Sequence, residues 1–246
     1  MIKQIGKTLL CSLFLLTSSI TFADWDPEFI ENVDVSTLDN TDYKNLKSKV
    51  LTALKGSWCS EEKTNLIMDL ILLTKPEVCV EIGVCTGSST LPIGSALQFI
   101  KKGQVFAIDA WSNKIATQYW DDTDPNKTWW STVDMNAVHK TYHNLITTWD
   151  LKKYCKEIWD SSENAVSFVD NIDFLHLDGD YSEVGSLKDV ELYLPKVKEG
   201  GYILLSNLFI MINGKQPKLK SFSALLEECE IVCEIERDNV ILFRKY

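Results

Sequence analysis

The feature that most constrains the fold is a change of pattern at Val78. From this residue to the C-terminus, short apolar runs alternate with stretches whose apolar residues recur at helical spacing. The runs are VCVEIG, VFAID, CKEIW, IDFLHLD, YILLS, CEIVCEI and VILFR. Strands that alternate with helices predict parallel β-α-β units, and right-handed crossovers restrict such units to a few doubly wound sheets.

The last two runs are joined differently from the others. Only a few residues, around Arg237-Asp238-Asn239, separate them, and a parallel crossover needs a dozen or more. We therefore expect an antiparallel hairpin at the C-terminus, an ending that separates this chain from a plain dinucleotide-binding fold.

Two helical patterns precede the strands, at 43–54 and 66–73. Ser60 is of the residue type that caps a helix N-terminus, so the second helix is expected to begin there with Lys63 in its first turn. Pro76 is expected to end it.

The first 23 residues have the pattern of a signal peptide. Lys3 and Lys7 precede an uncharged run at 8–22, and Ala23 closes a pattern of small residues at the cleavage positions. A membrane anchor needs about 20 apolar residues, and this run is shorter and carries several serines and threonines. We expect cleavage after Ala23 and export, to the periplasm or out of the cell, with no further membrane span.

The remaining chain is expected to form one domain with a short leading arm. A chain of 246 residues with 45% hydrophobic residues can bury one sizeable core. Residues 24–40 are acidic and irregular, which predicts an N-terminal arm that is laid over the domain or disordered. Residues 41–246 then make up the domain.

Charge and cysteine content narrow the possible functions. Cleavage removes two lysines and no acid, which takes the formal net charge from −10 to −12, so nucleic acid is not expected as a substrate. Six cysteines remain, an even number that export would allow to pair. Cys79 in a strand and Cys85 in a glycine turn are nevertheless expected to be free thiols.

Polar residues and glycines stand where the first two strands stop, the edge at which open α/β sheets bind ligands. The first strand ends at Glu81 and runs into a turn with Gly83 and Gly87, which lets a ligand approach the backbone closely. Asp109 ends the second strand 26 residues after Gly83, where an acid can hold both hydroxyls of a ribose. These two features suit a nicotinamide enzyme and a methyltransferase equally.

Two later blocks separate these alternatives, LDGD at 177–180 and LPKVKEGGYI at 194–203. With VEIGVCTGSST and VFAIDAW, they resemble the class I S-adenosylmethionine (SAM) methyltransferases, in particular the small O-methyltransferase-like group related to catechol O-methyltransferase. The resemblance covers about residues 60–246. It implies an α/β fold with a doubly wound, mostly parallel seven-stranded sheet in the order 3-2-1-4-5-7-6, helices on both faces and a C-terminal antiparallel hairpin.

The resemblance also assigns a binding site for SAM. The residues it implies are Glu81, Gly83, Gly87, Asp109, Trp111, Asp160 and Ser161. The first three would face the methionine part, the fourth would hold the ribose, and the others would lie beside the adenine. A negative rim at the strand ends suits a cation such as SAM.

For catalysis, the resemblance implies Asp178 beside the sulfonium and the substrate. Metal-dependent members hold a divalent ion with this acid and with an acid–Asn or acid–acid pair after the fifth strand. Here that pair reads Ser206-Asn207, so Asp178 and Asn207 remain candidate ligands while a charge is lost, which argues against a metal. Tyr181 stands where relatives often place a Lys or His base, and a phenol of ordinary pKa is a poor base at neutral pH.

Several alternatives stay open at this point. Tryptophans in the long segment at 111–130 indicate either a lid over an apolar or planar substrate or an extra helix packed on the sheet. The leading functional hypothesis is a SAM-dependent methyltransferase that acts on oxygen of a small molecule. The second is a catalytically silent binding protein with the same fold, and the third is a nicotinamide-dependent oxidoreductase. The sequence does not fix the oligomeric state.

Overall fold

The computed structural model describes residues 33–212, 214–235 and 239–246, in which seven strands form one sheet. The strands are β1 (Val78–Ile82), β2 (Gln104–Asp109), β3 (Cys155–Trp159), β4 (Ile172–Leu177), β5 (Val197–Ser206), β6 (Cys229–Ile235) and β7 (Val240–Lys245). The α-helices are α1 (Thr41–Ala53), α2 (Glu61–Thr74), α3 (Thr90–Ile100), α4 (Asn113–Ala116), α5 (Pro125–Thr132), α6 (Met135–Thr148), α7 (Ser162–Ala165), α8 (Glu183–Tyr193) and α9 (Leu219–Glu228).

The strand order is β3-β2-β1-β4-β5-β7-β6. Strands β3, β2, β1, β4 and β5 run parallel, and β7 pairs antiparallel with both β5 and β6. This confirms the predicted doubly wound sheet, its order and its terminal hairpin. The residues at 236–238, where the hairpin turn was predicted, lie outside the described part of the chain.

Apolar side chains cover both faces of the sheet, because successive residues of a strand point to opposite sides. Cys79 of β1 belongs to the core cluster on one face, with helices α1, α2 and α3. Its neighbour Val80 belongs to the cluster on the other face, with α8 and α9. Burial on both faces explains why the parallel strands read as nearly continuous apolar runs.

Helix α2 begins and ends where the sequence predicts. The Ser60 side chain accepts a hydrogen bond from the backbone N–H of Lys63, and Lys75 ends the helix in the left-handed conformation just before Pro76. Helix α1 packs beside it, where the Tyr43 hydroxyl donates to Asp69 at 2.6 Å. The first-turn position of Lys63 is thereby fixed.

The described part of the N-terminal arm lies against the domain. Residues Val35–Asp39 form a 3-10 turn, and Val33 and Leu38 pack on the core. Residues 1–32, which include the predicted signal peptide, lie outside the described chain, so that cleavage and export stay predictions.

The six cysteines from Cys59 to Cys233 are all free thiols. Cys79 is buried and Cys85 is half-buried, as expected for unpaired residues in a strand and a tight turn. Among the residues that the structure describes, no helix is both long and apolar enough to cross a membrane.

Candidate active site

A cleft opens at the carboxyl ends of β1, β2 and β4, the edge where ligands bind in open α/β sheets. It holds about 1210 Å³ of empty space, counted out to its open mouth. The turn after β1 and the residues after β2 and β4 form most of its wall. Trp58 and Lys63, from the segment before β1, complete it.

The two glycines of the turn after β1 are required by close contacts within the protein itself. Gly83 lines the cleft with φ +86°, and an added Cβ would lie 2.3 Å from the carbonyl oxygen of Asp178. Gly87 has φ +87° and packs against the ring of Tyr142, so it lies behind the cleft wall. The next residue, Ser88, lines the cleft, and contact between Gly87 and a ligand stays a prediction.

Glu81 lies beneath the cleft, fully buried. Its carboxylate accepts hydrogen bonds from the hydroxyls of Ser89 and Thr90 at the start of α3, and lies 3.1 Å from Nδ1 of His176. Contact between Glu81 and a ligand stays a prediction. In this arrangement Glu81 acts on the site by holding the first turn of α3 in place.

Asp109 joins the ends of β1 and β2. Its two carboxylate oxygens accept hydrogen bonds from the backbone N–H of Cys85 at 2.8 Å and of Trp111 at 2.7 Å. Burial raises the pKa of Asp109 above its ordinary value, although these backbone N–H groups oppose the rise. A carboxylate has about four acceptor sites, so Asp109 retains acceptor capacity toward the cleft that it lines.

Trp111, Asp160 and Ser161 also line the cleft, at the ends of β2 and β3. The Trp111 indole is 5% exposed, donates from Nε1 to the carbonyl oxygen of Cys85 at 2.9 Å and packs on Tyr142. Asp160 accepts from the backbone N–H of Ser161 at 2.7 Å. Five of the seven predicted cofactor residues thus share one cleft, and the other two, Glu81 and Gly87, lie behind its wall.

The two predicted catalytic residues meet at the end of β4. Asp178 accepts from Nδ2 of Asn207 at 2.5 Å, and the same amide lies 3.0 Å from the Tyr181 hydroxyl. On its other side, Asp178 pairs with the ammonium of Lys63 at 2.9 Å. Lys63 Nζ also donates to the Ser206 hydroxyl at 2.9 Å.

Burial and neighbouring charges shift the pKa values of Asp178 and Tyr181. Burial, the largest single effect, would raise the pKa of Asp178, but the Lys63 ammonium, the other nearby cationic groups and the hydrogen bond from Lys63 together leave the pKa below the ordinary value. Burial raises the pKa of Tyr181 well above that of a free phenol, with Asp178 adding to the rise. Tyr181 therefore stays protonated at neutral pH, which removes it as a general base and leaves it as a hydrogen-bonding group.

His176 is a core histidine beneath the cleft. It is fully buried in β4, with Nδ1 at Glu81 and Nε2 3.0 Å from the Ser206 hydroxyl. Burial lowers the pKa of His176, and the nearby Lys63 adds to the effect. The neutral ring thus links the buried acid beneath the cleft to the Lys63–Asp178 pair.

The aromatic residues support both interpretations of the segment at 111–130, an extra helix packed on the sheet and a lid over the substrate. Trp111 packs inside the domain, as in the extra-helix interpretation. Trp58 and Trp130 instead line the cleft, and Trp129 packs against both in a cluster with ring centroids 4.6 to 6.4 Å apart. Trp58 is 68% exposed and Trp129 48% exposed, which suits a surface that receives an apolar or planar molecule.

Comparison with known families decides the class. A sequence model described as a methyltransferase domain matches residues 80–208, which is more than half of the chain. The chain belongs to this methyltransferase family. No curated protein matches it in sequence. The family assignment confirms the resemblance that the strand-end motifs indicate.

Solved methyltransferase structures share the fold. The O-methyltransferase NovP aligns with TM-score 0.62 and 14% identity, over 86% of this chain and 99% of that one. TomG from Streptomyces achromogenes, an O-methyltransferase of tomaymycin synthesis in complex with SAM, aligns with TM-score 0.57 and 12% identity, over 95% and 96%. An O-methyltransferase from Bacillus cereus in complex with SAH aligns with TM-score 0.55 and 12% identity, over 86% and 95%.

Two lysines of this methyltransferase site were not identified from its sequence. Lys63 lies 115 residues before Asp178, so no spacing rule connects them. Its one signal is its place in the first turn of α2, where a helix favours acids over cations. Lys218 is 2% exposed and lies 5.0 Å from the centre of the Tyr181 ring, and it follows β5 by a loop whose path the sequence does not reveal.

We expect the cleft-lining acid Asp189 to make the stability of this methyltransferase depend on pH. Burial raises its pKa from 3.8 to about 6, so the folded chain binds a proton that the unfolded chain has released between these values. The free energy of unfolding should therefore fall as pH rises through this window. Asp189→Asn, which cannot ionise, should gain about 2 kcal/mol relative to the wild type between pH 4 and pH 7.

Urea unfolding at both pH values measures this gain. Glu191→Gln changes an exposed acid of the same helix and should follow the wild type at both pH values. An equal difference between Asp189→Asn and the wild type at the two pH values would show that Asp189 does not titrate in this window.

Proposed function

We propose that this methyltransferase binds SAM in the cleft and transfers its methyl group to an oxygen of a small molecule with an apolar or planar body. The observation that carries the proposal is the bond network in which Asp109 ties the ends of β1 and β2 together at a cleft that Asp178 also lines. Solved structures of the same fold are O-methyltransferases, and two of them are complexes with SAM or SAH.

The residues present fit SAM by their chemistry. Asp109 offers carboxylate acceptors to the two hydroxyls of a ribose. Trp111 and the half-buried Asp160 offer an apolar surface and an acceptor to the adenine. Ser88 and Ser89 line the wall at the N-terminus of α3, where the positive end of the helix dipole favours a carboxylate such as that of the methionine part. The Trp58, Trp129 and Trp130 cluster then receives the acceptor.

Bound SAM supplies an electrophilic methyl group, and the protein's contribution is to hold the acceptor oxygen in line with it. As Tyr181 stays protonated, the acceptor is expected to arrive with its oxygen already ionised. The oxygen–carbon bond then forms as the carbon–sulfur bond breaks, and no proton has to be placed. Acceptors whose oxygen is acidic, such as carboxylic acids and acidic phenols, are the class that this site suits.

Asp109→Asn should weaken SAH binding to the full chain by at least about tenfold, because hydrogen bonds to a charged group contribute about 1.5–3 kcal/mol. Calorimetric titration with SAH measures it. Asp173→Asn is the matched control, since Asp173 also holds two backbone N–H groups, those of Glu77 and Val78, but at the opposite end of the sheet. Equal affinity of Asp109→Asn and the wild type would contradict the proposed ribose site.

A catalytically silent binding protein is the second candidate, favoured by one observation, the buried and protonated Tyr181 in the position of a base. SAH binding without methyl transfer to a panel of phenols and carboxylic acids would support it. Binding of NADH in place of SAH would instead support the oxidoreductase and overturn both.

We also propose that the protein is exported, which is supported by the charge pattern and small residues of its first 23 residues. N-terminal sequencing of the protein made by its cell should give Asp24 as the first residue. An intact Met1 would contradict export by this route.

A further inference from the structure

The ligand positions that relatives use for a divalent metal are already engaged with one another. Asp178 is bound on one oxygen by the Lys63 ammonium and on the other by the amide nitrogen of Asn207. Ser206, in the position of an acid, accepts from the same ammonium. Among the described residues, no group of three or more His, Cys, Asp or Glu side chains could hold a metal ion.

A divalent ion does not fit this arrangement. To bind Oδ2 of Asp178 at a normal metal–oxygen distance of about 2.1 Å, the ion would have to lie within about 5 Å of Lys63 Nζ, where the two cations repel. Asn207 donates from its NH₂ group to Asp178, and this hydrogen bond would have to be given up for Asn207 to offer its amide oxygen to a metal. The residues therefore disagree with the metal site of the relatives.

We infer that the Lys63 ammonium takes the place of the divalent cation and binds the acceptor oxygen. This inference rests on the proposed methyl transfer and names the group that positions its acceptor. Lys63 is 4% exposed yet lines the cleft, and its position is fixed by the Ser60 cap of α2. An ammonium carries three protons, and in the described chain two of them go to Asp178 and Ser206. The third is left for an oxygen of the acceptor.

The reaction is accordingly independent of divalent metals. Lys63 delivers one positive charge to the site from within the chain, where a metal-dependent relative imports two. The lower charge suits an acceptor oxygen that is already ionised, because no metal is then needed to lower the pKa of the acceptor's hydroxyl.

Direct measurement of metal binding tests the inference without any assay of turnover. Mn²⁺ titrated into the full wild-type chain should stay free up to millimolar concentration, as followed by the electron paramagnetic resonance of free Mn²⁺. The melting temperature should be the same with Mn²⁺ and with EDTA, since a ligand that binds only the folded state would raise it. Binding of Mn²⁺ at micromolar concentration would overturn the inference.

The double variant Lys63→Ala/Ser206→Asp removes the ammonium and restores the acid of the relatives. It should bind Mn²⁺ at least about tenfold more tightly than the wild type, because carboxylate oxygens are the ligands that such ions prefer. If the wild type binds Mn²⁺ as tightly as this variant, Lys63 does not occupy the cation position. The wild-type measurement stands by itself should the double variant fail to fold.

The acceptor role has its own readout. Lys63→Met should keep SAH affinity within about twofold of the wild type, raise the KM for the acceptor and lose most of kcat, whereas Lys63→Arg should recover part of both. Unchanged acceptor KM in Lys63→Met would contradict the inference. Failure of the wild type to bind SAH would instead contradict the proposed function, so that the two failures are distinguishable.

Discussion

Replacement of Gly83 by alanine is expected to lower the free energy of unfolding by about 3 kcal/mol or more and to abolish SAH binding. The left-handed conformation at φ +86° costs an L-residue about 1–2 kcal/mol. In addition, the new methyl carbon would lie 2.3 Å from the backbone oxygen of Asp178, which cannot move without shifting the end of β4. Urea unfolding and calorimetry with SAH measure the two effects.

Gly56→Ala separates the two causes. Gly56 has a similar φ, +82°, but an added Cβ there has no neighbour within 4 Å. This control should therefore lose only about 1 kcal/mol, the conformational part, and keep its SAH affinity. Equal losses in the two variants would show that the contact between the ends of β1 and β4 is not tight.

Asp178→Ala is the second change with a large expected effect, a loss of about 3–5 kcal/mol of stability together with the loss of methyl transfer. It leaves the Lys63 ammonium, 4% exposed, without its carboxylate, and an unpaired buried charge is strongly destabilising. The loss should be largest above the pKa of Asp178, because that acid stabilises the fold only when it is ionised.

The double variant Lys63→Met/Asp178→Leu removes both charges and should be more stable than Asp178→Ala. Lys44→Ala, which breaks an exposed pair with Asp39, should unfold at the same urea concentration as the wild type. If Asp178→Ala and Lys44→Ala unfolded at the same urea concentration, the Lys63–Asp178 pair would contribute no more to stability than an exposed ion pair.

The sheet could be predicted because its signals are local and mutually consistent. Each parallel strand is a short apolar run between helical stretches, and the short link before β7 leaves an antiparallel hairpin as the solution. Ser60 and Pro76 bound α2 as their residue types dictate. The strand order follows from the resemblance carried by the LDGD and LPKVKEGGYI blocks.

Only those site residues that stand at the ends of strands could be predicted from the sequence. Asp109 and Asp178 follow from position, because parallel strands bring their carboxyl ends to one edge. The direction of a side chain at that edge does not follow, and Glu81 therefore turned out to lie beneath the wall with its oxygens engaged by Ser89 and Thr90. Lys63 comes from a helix outside the β-α-β repeat, and its approach to Asp178 is a matter of tertiary packing.

The origin of Lys63 in α2 has a consequence for where the working unit of this protein begins. The part that matches the methyltransferase domain starts at residue 80, so Trp58 and Lys63 lie before it in the sequence. A shortened protein that started there would retain most of the nucleoside-facing surface but would discard both the internal counter-ion of Asp178 and one ring of the entrance. If Lys63 binds the acceptor as we infer, part of the acceptor site lies before residue 80, and a shortened protein should bind SAH but lose methyl transfer.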